Sequence, residues 1–367
     1  MPSPRKKSIG TRAATLADVG RAAGVSAMAA STALNGSRTS SRISKETRER
    51  ILKAAARLAY RPNATARALA NRRMRTLGLA AVIDGGELNN YFLEVFNGVL
   101  EAATRHEQNT TVFALHDWGA DTARLHGLCD GRIDGLILLA PTISRPMTRL
   151  LPAHTPFVSL HANIALPGVI NIESDEEKGA REMVRHLVRC GHRRIMHVAG
   201  PTRQLGAERR FRGYRRALAA ARLPYERDLL VKAGYTVAEG RAGVRDWLRG
   251  HAGRPVPDAI FCANDGCAIG CIQALAEAGL RVPDDISVAG FDDTLAARTT
   301  VPQLTTVRQP LREMGARAVE VLLARIAQLE GAGGKAPDSP IVFPVALVDR
   351  ASVSAPPRVL RLVPASR

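Results

Sequence analysis

By residue type, the groups in this 367-residue chain best suited to chemistry are two adjacent carboxylates, Asp292 and Asp293, and three closely spaced thiols, Cys262, Cys267 and Cys271. Adjacent aspartates point apart, so they do not form an acid–base pair. The cysteines read C-x4-C-x3-C, with neither the C-x-x-C pair nor the nearby His of a zinc site. Each lies in an apolar segment, so they are read as small core residues and no metal is expected. No G-x-S-x-G elbow, H-E-x-x-H, P-loop or dinucleotide fingerprint is present. The glycine-rich run 331–335 follows a helical pattern instead of opening one, which makes it a flexible loop and not a phosphate cradle. Neither an enzyme nor a cofactor is expected. Polar residues do occur where open parallel sheets bind ligands, at the carboxyl ends of strands: Phe291-Asp292-Asp293 follows one apolar run and Asn264-Asp265 follows another.

The other chemistry is charge. The chain carries 52 Lys+Arg against 34 Asp+Glu, a formal +18, which points to a polyanionic partner, nucleic acid or an anionic membrane surface. Residues 1–75 hold 17 of the basic residues and only three acids (Asp18, Glu46, Glu49), leaving 35 against 31 for the remaining 292 residues. A basic head thus precedes a nearly neutral body. A targeting peptide would also be basic and Ser-rich at its start, but here the basic residues continue to Arg75 among patterned apolar positions. No apolar run is long enough to span a membrane and no signal-peptide core is present, so a soluble, cytoplasmic, nucleoid-associated protein without a membrane partner is expected. Five cysteines in a chain of this length fit a reducing compartment.

The head must position that charge. Thr15-Leu16-Ala17-Asp18 is a variant capping box opening a helix whose apolar face is Leu16, Val19 and Ala23, and Gly24 ends it. Val25 plugs the corner and Ser26 caps a second helix over 27–34. A third helix starts at Ser44, with a buried stripe expected at Ile51, Leu52, Ala55, Leu58 and Ala59. Two short helices joined by a tight turn describe a helix-turn-helix. Behind it, apolar runs at 77–83, 111–115, 135–139, 157–160, 195–199, 259–262 and 287–289 alternate with helical stretches, which means parallel sheets covered on both faces.

The ordered motifs T-L-A-D-V-x-x-A-A-G-V-S, K-E-T-R-E-R-I and Y-R-P-N-A-x-A-R-A-L, with others through the body, resemble the LacI/GalR family of bacterial transcription regulators over about residues 15–353. The resemblance implies a helix-turn-helix head and a two-lobed, periplasmic-binding-protein-like α/β body. The divisions expected are a disordered basic arm 1–14, a DNA-binding domain 15–61, a hinge helix and linker 62–75, a body 76–353 and a tail 354–367. The lobes would be about 76–173 plus 308–331, and 174–307 plus 341–353. Asn63 caps the hinge helix, Ala66 faces its copy in the dimer, and Leu69 is the wedge for the minor groove at the operator centre. DNA contacts are expected from Thr15, Ser26, Ala27, Met28, Ser31, Thr32 and Asn35, with Arg38 and Arg42 of a lengthened loop on phosphates. The recognition helix departs from the family in its short side chains, notably Thr32 where relatives often carry Arg or His, so bidentate base readout is missing there.

In the body the resemblance places Asp292, Asn264, Arg210, Tyr235, His161, Tyr91 and Phe92 at the effector, with Asp265 as a helix cap. Asp293 is read as a cap or turn former, Arg209 and Arg212 as solvated, and Tyr214 as core. An aromatic face over a ring and directional bonds to hydroxyls suit a carbohydrate or nucleoside-like ligand. Pairing of His161 with Arg210 would favour a sugar acid, whereas a neutral His161 would serve as a hydrogen-bonding group. The function implied is a homodimeric regulator, most simply a repressor, on a palindromic double-stranded operator, controlled by a sugar or sugar-derived effector acting as inducer or corepressor. Two other classes differ in kind: a stand-alone sugar receptor would carry a secretory signal and no basic head, and an architectural DNA binder would show salt dependence without a ligand response.

Overall fold

The computed structural model describes residues 13–35, 43–61, 73–83, 89–202, 204–331, 337 and 340–356. It divides into two units, residues 1–75 and 76–367. Asn63, Ala66 and Leu69, expected in a hinge helix, Arg38 and Arg42, expected in a loop, and the side chain of Asn35 lie outside the described residues.

In the first unit α1 is Leu16–Ala23, α2 is Ala27–Asn35 and α3 is Lys45–Arg57. The Thr15 hydroxyl accepts from the Asp18 amide at 3.3 Å while the Asp18 carboxylate accepts from the Thr15 amide at 2.9 Å, a reciprocal box that satisfies two otherwise orphaned donors. Gly24 closes α1 at φ 66°, and Ser26 accepts from the Ala29 amide at 3.1 Å to open α2. A Cβ on Gly20 would meet the Val25 carbonyl at 2.8 Å, so glycine is what lets the turn fold back so tightly. Val19, Ala23, Ala30, Ala33, Ile51, Ala54 and Ala55 form the core. The stripe expected on α3 is corrected at two positions: Leu52 is 49% exposed and Ala54 takes its place inside. Positions 51, 54, 55 and 58 follow the i, i+3, i+4, i+7 spacing of one face, and 52 lies roughly 100° away from 51. Ala59 is exposed in a left-handed turn at φ 48°.

The second unit is built on two parallel sheets. The first has the order β11-β5-β4-β3-β1-β2, from β1 (Thr76–Val82), β2 (Asn109–Leu115), β3 (Gly135–Leu139), β4 (Phe157–Leu160), β5 (Ile170–Ser174) and β11 (Ile341–Phe343). The second has the order β7-β6-β8-β9, from β6 (Ile195–Ala199), β7 (Leu230–Lys232), β8 (Ala259–Cys262) and β9 (Ser287–Ala289). An antiparallel pair, β10 (Thr306–Arg308) with β12 (Ala346–Val348), packs through Val307 and Leu347 on the core beside the second sheet. The helices are α4 (Asn90–Arg105), α5 (Trp118–Asp121), α6 (Leu125–Leu128), α7 (Glu176–Arg189), α8 (Leu205–Ala220), α9 (Val237–Gly250), α10 (Asp265–Glu277), α11 (Leu295–Thr299) and α12 (Leu311–Leu329). Among the described residues no helix is long and apolar enough to cross a membrane.

Strands buried on both faces explain the unbroken apolar runs. Leu77, Leu79, Ile137, Leu139, Val158 and Leu160 face α4 and α12, while Ala80, Leu136, Leu138 and Phe157 face the layer of Trp118, Leu125 and Ile143. The two helices cross at small residues: a Cβ on Gly98 would sit 2.0 Å from the Arg312 carbonyl. In the second sheet Met196, Ile260 and Val288 face α9 and α10, and Ile195, Ala259 and Phe261 face α7 and α8. One boundary is corrected. The expected division gives all of 341–353 to the second lobe, yet β11 pairs with β5 in the first sheet, and only the stretch from Val345 onward packs on the second lobe. Three-residue strands carry too little pattern to reveal this.

Candidate functional site

Every polar group of the candidate effector site stands just beyond the carboxyl end of a strand or in the first turns of the helix that follows. His161 follows β4, Glu173 and Ser174 end β5, Glu176 opens α7, Asn264 follows β8, Asp292 follows β9 and Gln309 follows β10. Tyr91 is set at the start of α4 by Asn89, whose side chain accepts from the Phe92 amide at 2.8 Å. Arg209 and Arg210 lie in the second turn of α8.

The groups form one connected chain of hydrogen bonds. The Tyr91 hydroxyl lies 2.6 Å from His161 Nδ1, and His161 Nε2 lies 3.4 Å from the Ser174 hydroxyl. Ser174 donates to Gln309 Oε1, and Gln309 Nε2 donates to Asp292 Oδ1 at 2.6 Å. Burial lowers the His161 pKa from 6.5, so the ring is neutral near pH 7. A neutral ring orients the whole chain one way: Tyr91 donates to Nδ1, Nε2–H donates to Ser174, Ser174 to Gln309, and Gln309 to Asp292. The path runs from the first lobe (Tyr91, His161) through the crossing strands (Ser174, Gln309) to the second lobe (Asp292).

Arg210, 5% exposed, anchors the far end. Its Nη2 lies 2.9 Å from Glu176 Oε1 and 3.8 Å from Asp292 Oδ1, and its Nη1 donates to the Ala263 carbonyl. Its guanidinium carbon lies 4.1 Å from the Phe291 ring centroid and 5.8 Å from that of Tyr235. Arg209 bonds Glu173 at 2.9 Å and approaches Glu176 at 3.7 Å. Both guanidinium groups are therefore already matched by Glu173, Glu176 and Asp292. Burial pushes the Asp292 carboxyl up to about 6 despite Arg210 and Gln309. The Tyr91 hydroxyl is also raised well above its ordinary value, first by burial and then by the facing charges of Asp292 and Glu176. A cavity of about 420 Å³ adjoins this network, sharing Glu173, Ser174, Glu176 and Arg209 with it but not Tyr91, His161, Tyr235 or Asp292.

Several sequence readings need correction. Phe92 does not face the cleft: it is 4% exposed in the first-lobe core, 5.8 Å from Phe96, because it lies one residue around the helix from Tyr91. The helix cap falls on Asn264 and not on Asp265. Asn264 is the cap of α10, accepting from the Cys267 amide at 2.8 Å, and Asp265 is buried with bonds from the Thr294 amide, the Thr294 hydroxyl and the Thr306 hydroxyl. A strand that ends at Cys262 leaves only residue 264 in the extended conformation a cap needs. Arg209 is ion-paired and half-buried instead of solvated, whereas Arg212 is exposed against Glu177. His161 is bonded by Tyr91 and Ser174 and not by Arg210. Asp293 is a left-handed turn residue at φ 57°, but its buried carboxylate also binds Arg308 at 2.6 Å and Arg350 at 2.5 Å. Tyr214 is fully buried and donates to the Ile195 carbonyl at 2.8 Å.

Glu173, Ser174, Glu176 and Gln309 are not singled out by any sequence motif. E-S-D-E-E-K looks like a solvated helix start, and Arg308-Gln309-Pro310 carries no motif; only the topology brings them to Arg210 and Asp292.

In the first unit the exposed face of α2 presents Ser26, Ala27 and Met28, with Ser31 and Thr32 half-buried beside them. Met28 is 78% exposed, and the Thr32 hydroxyl donates to the Met28 carbonyl at 3.0 Å. Thr15 sits at the N-terminus of α1, its side chain held by Asp18.

Comparison with known proteins agrees with these features. Residues 15–63 match the family described as bacterial regulatory proteins, lacI family, and residues 184–353 match a periplasmic binding protein-like domain. The chain is 32% identical to the ribose operon repressor of Haemophilus influenzae over 317 residues, covering 85% of this chain and 92% of that one. The crystal structure of the lac repressor dimer bound to operator and the anti-inducer ONPF superposes with a TM-score of 0.80 at 28% identity, over 94% of this chain and 100% of that one. A complex of the transcriptional regulator CelR with cellobiose gives 0.68 at 29% identity, over 92% and 99%.

Proposed function

The chain belongs to the LacI family of bacterial regulatory proteins, and on that premise we propose that it is a transcription repressor whose operator affinity is set by a small polyhydroxylated effector held between the lobes. The observation that carries this reading is the one-directional hydrogen-bond chain from Tyr91 to Asp292. Its members are contributed by both lobes and by the strands between them, so a ligand that exchanges hydroxyls for these bonds changes the preference between lobe arrangements. By linkage it then changes operator affinity, by no more than its differential affinity for the two states.

Site chemistry favours a neutral sugar over a sugar acid. Each guanidinium in the site is already held by a carboxylate, so an anionic ligand would have to displace one. Asp292, Arg210, His161 and Tyr91 are assigned to effector hydroxyls and Tyr235 to the apolar ring face. DNA binding is assigned to the head as a homodimer on a palindromic duplex, with the 26–32 surface in the major groove. Exposed Met28 suits a thymine methyl. Thr15 lies at a helix N-terminus, suited to a backbone phosphate. Arg38 and Arg42 are assigned to phosphates as well, and the 63–70 segment, with Asn63, Ala66 and Leu69, to the minor groove. The protein acts in the cytoplasm on the nucleoid, and no catalytic role is part of this reading.

A thermal-shift panel of neutral sugars, sugar acids and nucleobases tests it, run on the wild type and Asp292→Ala. One neutral sugar is expected to raise the wild-type Tm and to leave the variant unmoved. No shift with any compound, or equal shifts in both proteins, would remove the site assignment.

A further inference from the structure

Three thiols outside the effector network converge in the core of the second lobe. Cys262 ends β8, and Cys267 and Cys271 lie one turn apart on α10, which the turn at Ala263-Asn264 folds back against the strand end. Cys262 Sγ lies 3.5 Å from Cys271 Sγ. All three Sγ atoms fall within 4.8 Å of one another, and all three residues are fully buried free thiols. Their backbone is held firmly. Asn264 fixes the Cys267 amide, and α9 approaches so closely that a Cβ on Gly240 would meet the Cys267 carbonyl at 2.3 Å. The surrounding core is otherwise met by Val, Leu, Ile and Ala with Met196 and Trp247, so packing alone does not require three thiols at one point.

We propose that Cys262, Cys267 and Cys271 form a three-sulfur site for one soft metal ion of the Cu(I) class. An ion about 2.3 Å from each sulfur sits in a triangle with edges of about 4.0 Å, which the observed spacing brackets. Among the described residues no His, Asp or Glu joins the group. Closed zinc sites take four ligands, whereas thiolates in low coordination select Cu(I). Binding releases one proton from each thiol that ligates and changes no oxidation state. The proposal rests on the second-lobe core and not on the effector reading.

The test is an anaerobic titration of the full-length, reduced protein with Cu(I) against a chromogenic Cu(I) chelator. Stoichiometry and the sulfur-to-copper charge-transfer band are the readouts. Each titration is repeated after refolding with the ion present, so that burial does not mask the site. The Cys129→Ser/Cys190→Ser protein retains only the buried trio and is expected to bind one equivalent; adding Cys267→Ser should weaken binding at least ten-fold. No binding by the double variant, or equal binding by both, would overturn the proposal. If the triple variant does not fold, X-ray absorption of the loaded double variant decides: three sulfur neighbours support the site and two or fewer overturn it.

Discussion

Arg210 is where the site's charge is concentrated, because it sits buried against Glu176, within 3.8 Å of Asp292 and over the Phe291 ring. Removing one partner of a buried pair strands the others. Arg210→Ala is therefore expected to cost ~3–5 kcal/mol in urea unfolding, and the exposed Arg212→Ala no more than ~1 kcal/mol. Equal effects would show that Arg210 is not the buried anchor. A second residue-scale expectation concerns His197, whose Nδ1–H donates to the Phe261 carbonyl at 2.9 Å and whose ring stacks on Tyr214 at 5.0 Å. Burial lowers its pKa to about 4, below the unfolded value of about 6.5. The unfolded state then binds more protons between those values, so stability is full above about 6.5 and falls as the pH drops toward 4. His197→Gln should flatten the stability–pH slope in that window; an unchanged slope would assign the slope to other groups. At this scale the sequence is most legible where a motif surrounds the residue, as at Asp292 and Arg210, which the structure brings to 3.8 Å of one another, and least legible where a one-residue shift decides the local structure. The cap at Asn264 instead of Asp265 and the inward turn of Phe92 both depend on where a helix begins, the least legible property of a sequence.

At the scale of elements, the strands buried on both faces were legible to the residue, since 135–139, 157–160, 195–199, 259–262 and 287–289 are continuous apolar runs that coincide with β3, β4, β6, β8 and β9. The three-residue β7, β10, β11 and β12 were not, because pairing partners rather than periodicity define them. Helix crossings were also invisible, as they depend on backbone approach. Gly98 lies where α4 meets the Arg312 carbonyl, so Gly98→Ala should destabilise by ~1–3 kcal/mol. Gly127, with open space around its Cβ position, should accept Ala with little change; denaturant melts of the two variants give the comparison. In the head, Thr15→Ala removes a reciprocal cap and should lower the stability of that unit by ~1 kcal/mol, read from its thermal melt. For the segment proposed as a hinge, Leu69→Ser is expected to weaken operator binding while leaving the effector thermal shift intact. Unchanged operator affinity would withdraw the wedge role.

For the whole molecule, the uneven charge assigns two tasks to two units: a basic head suited to a polyanion and a nearly neutral body whose site is internally charge-balanced. Operator binding should weaken steeply with salt, whereas effector binding should change little, since the one releases counterions and the other does not. The family resemblance makes the architecture legible from the sequence, but the chemistry of the proposed effector site depends on Glu176, Ser174 and Gln309, which only the folded topology assembles. The central claim joins the two tasks, and an operator titration tests it most directly. A labelled palindromic duplex, selected from a random library by the full-length protein, is titrated by fluorescence anisotropy with and without the sugar found in the thermal-shift panel. The account predicts at least a ten-fold change in operator Kd on adding the sugar, about 1.4 kcal/mol of coupling, and loss of that change in Asp292→Ala. An operator affinity that the bound sugar leaves unaltered would contradict it.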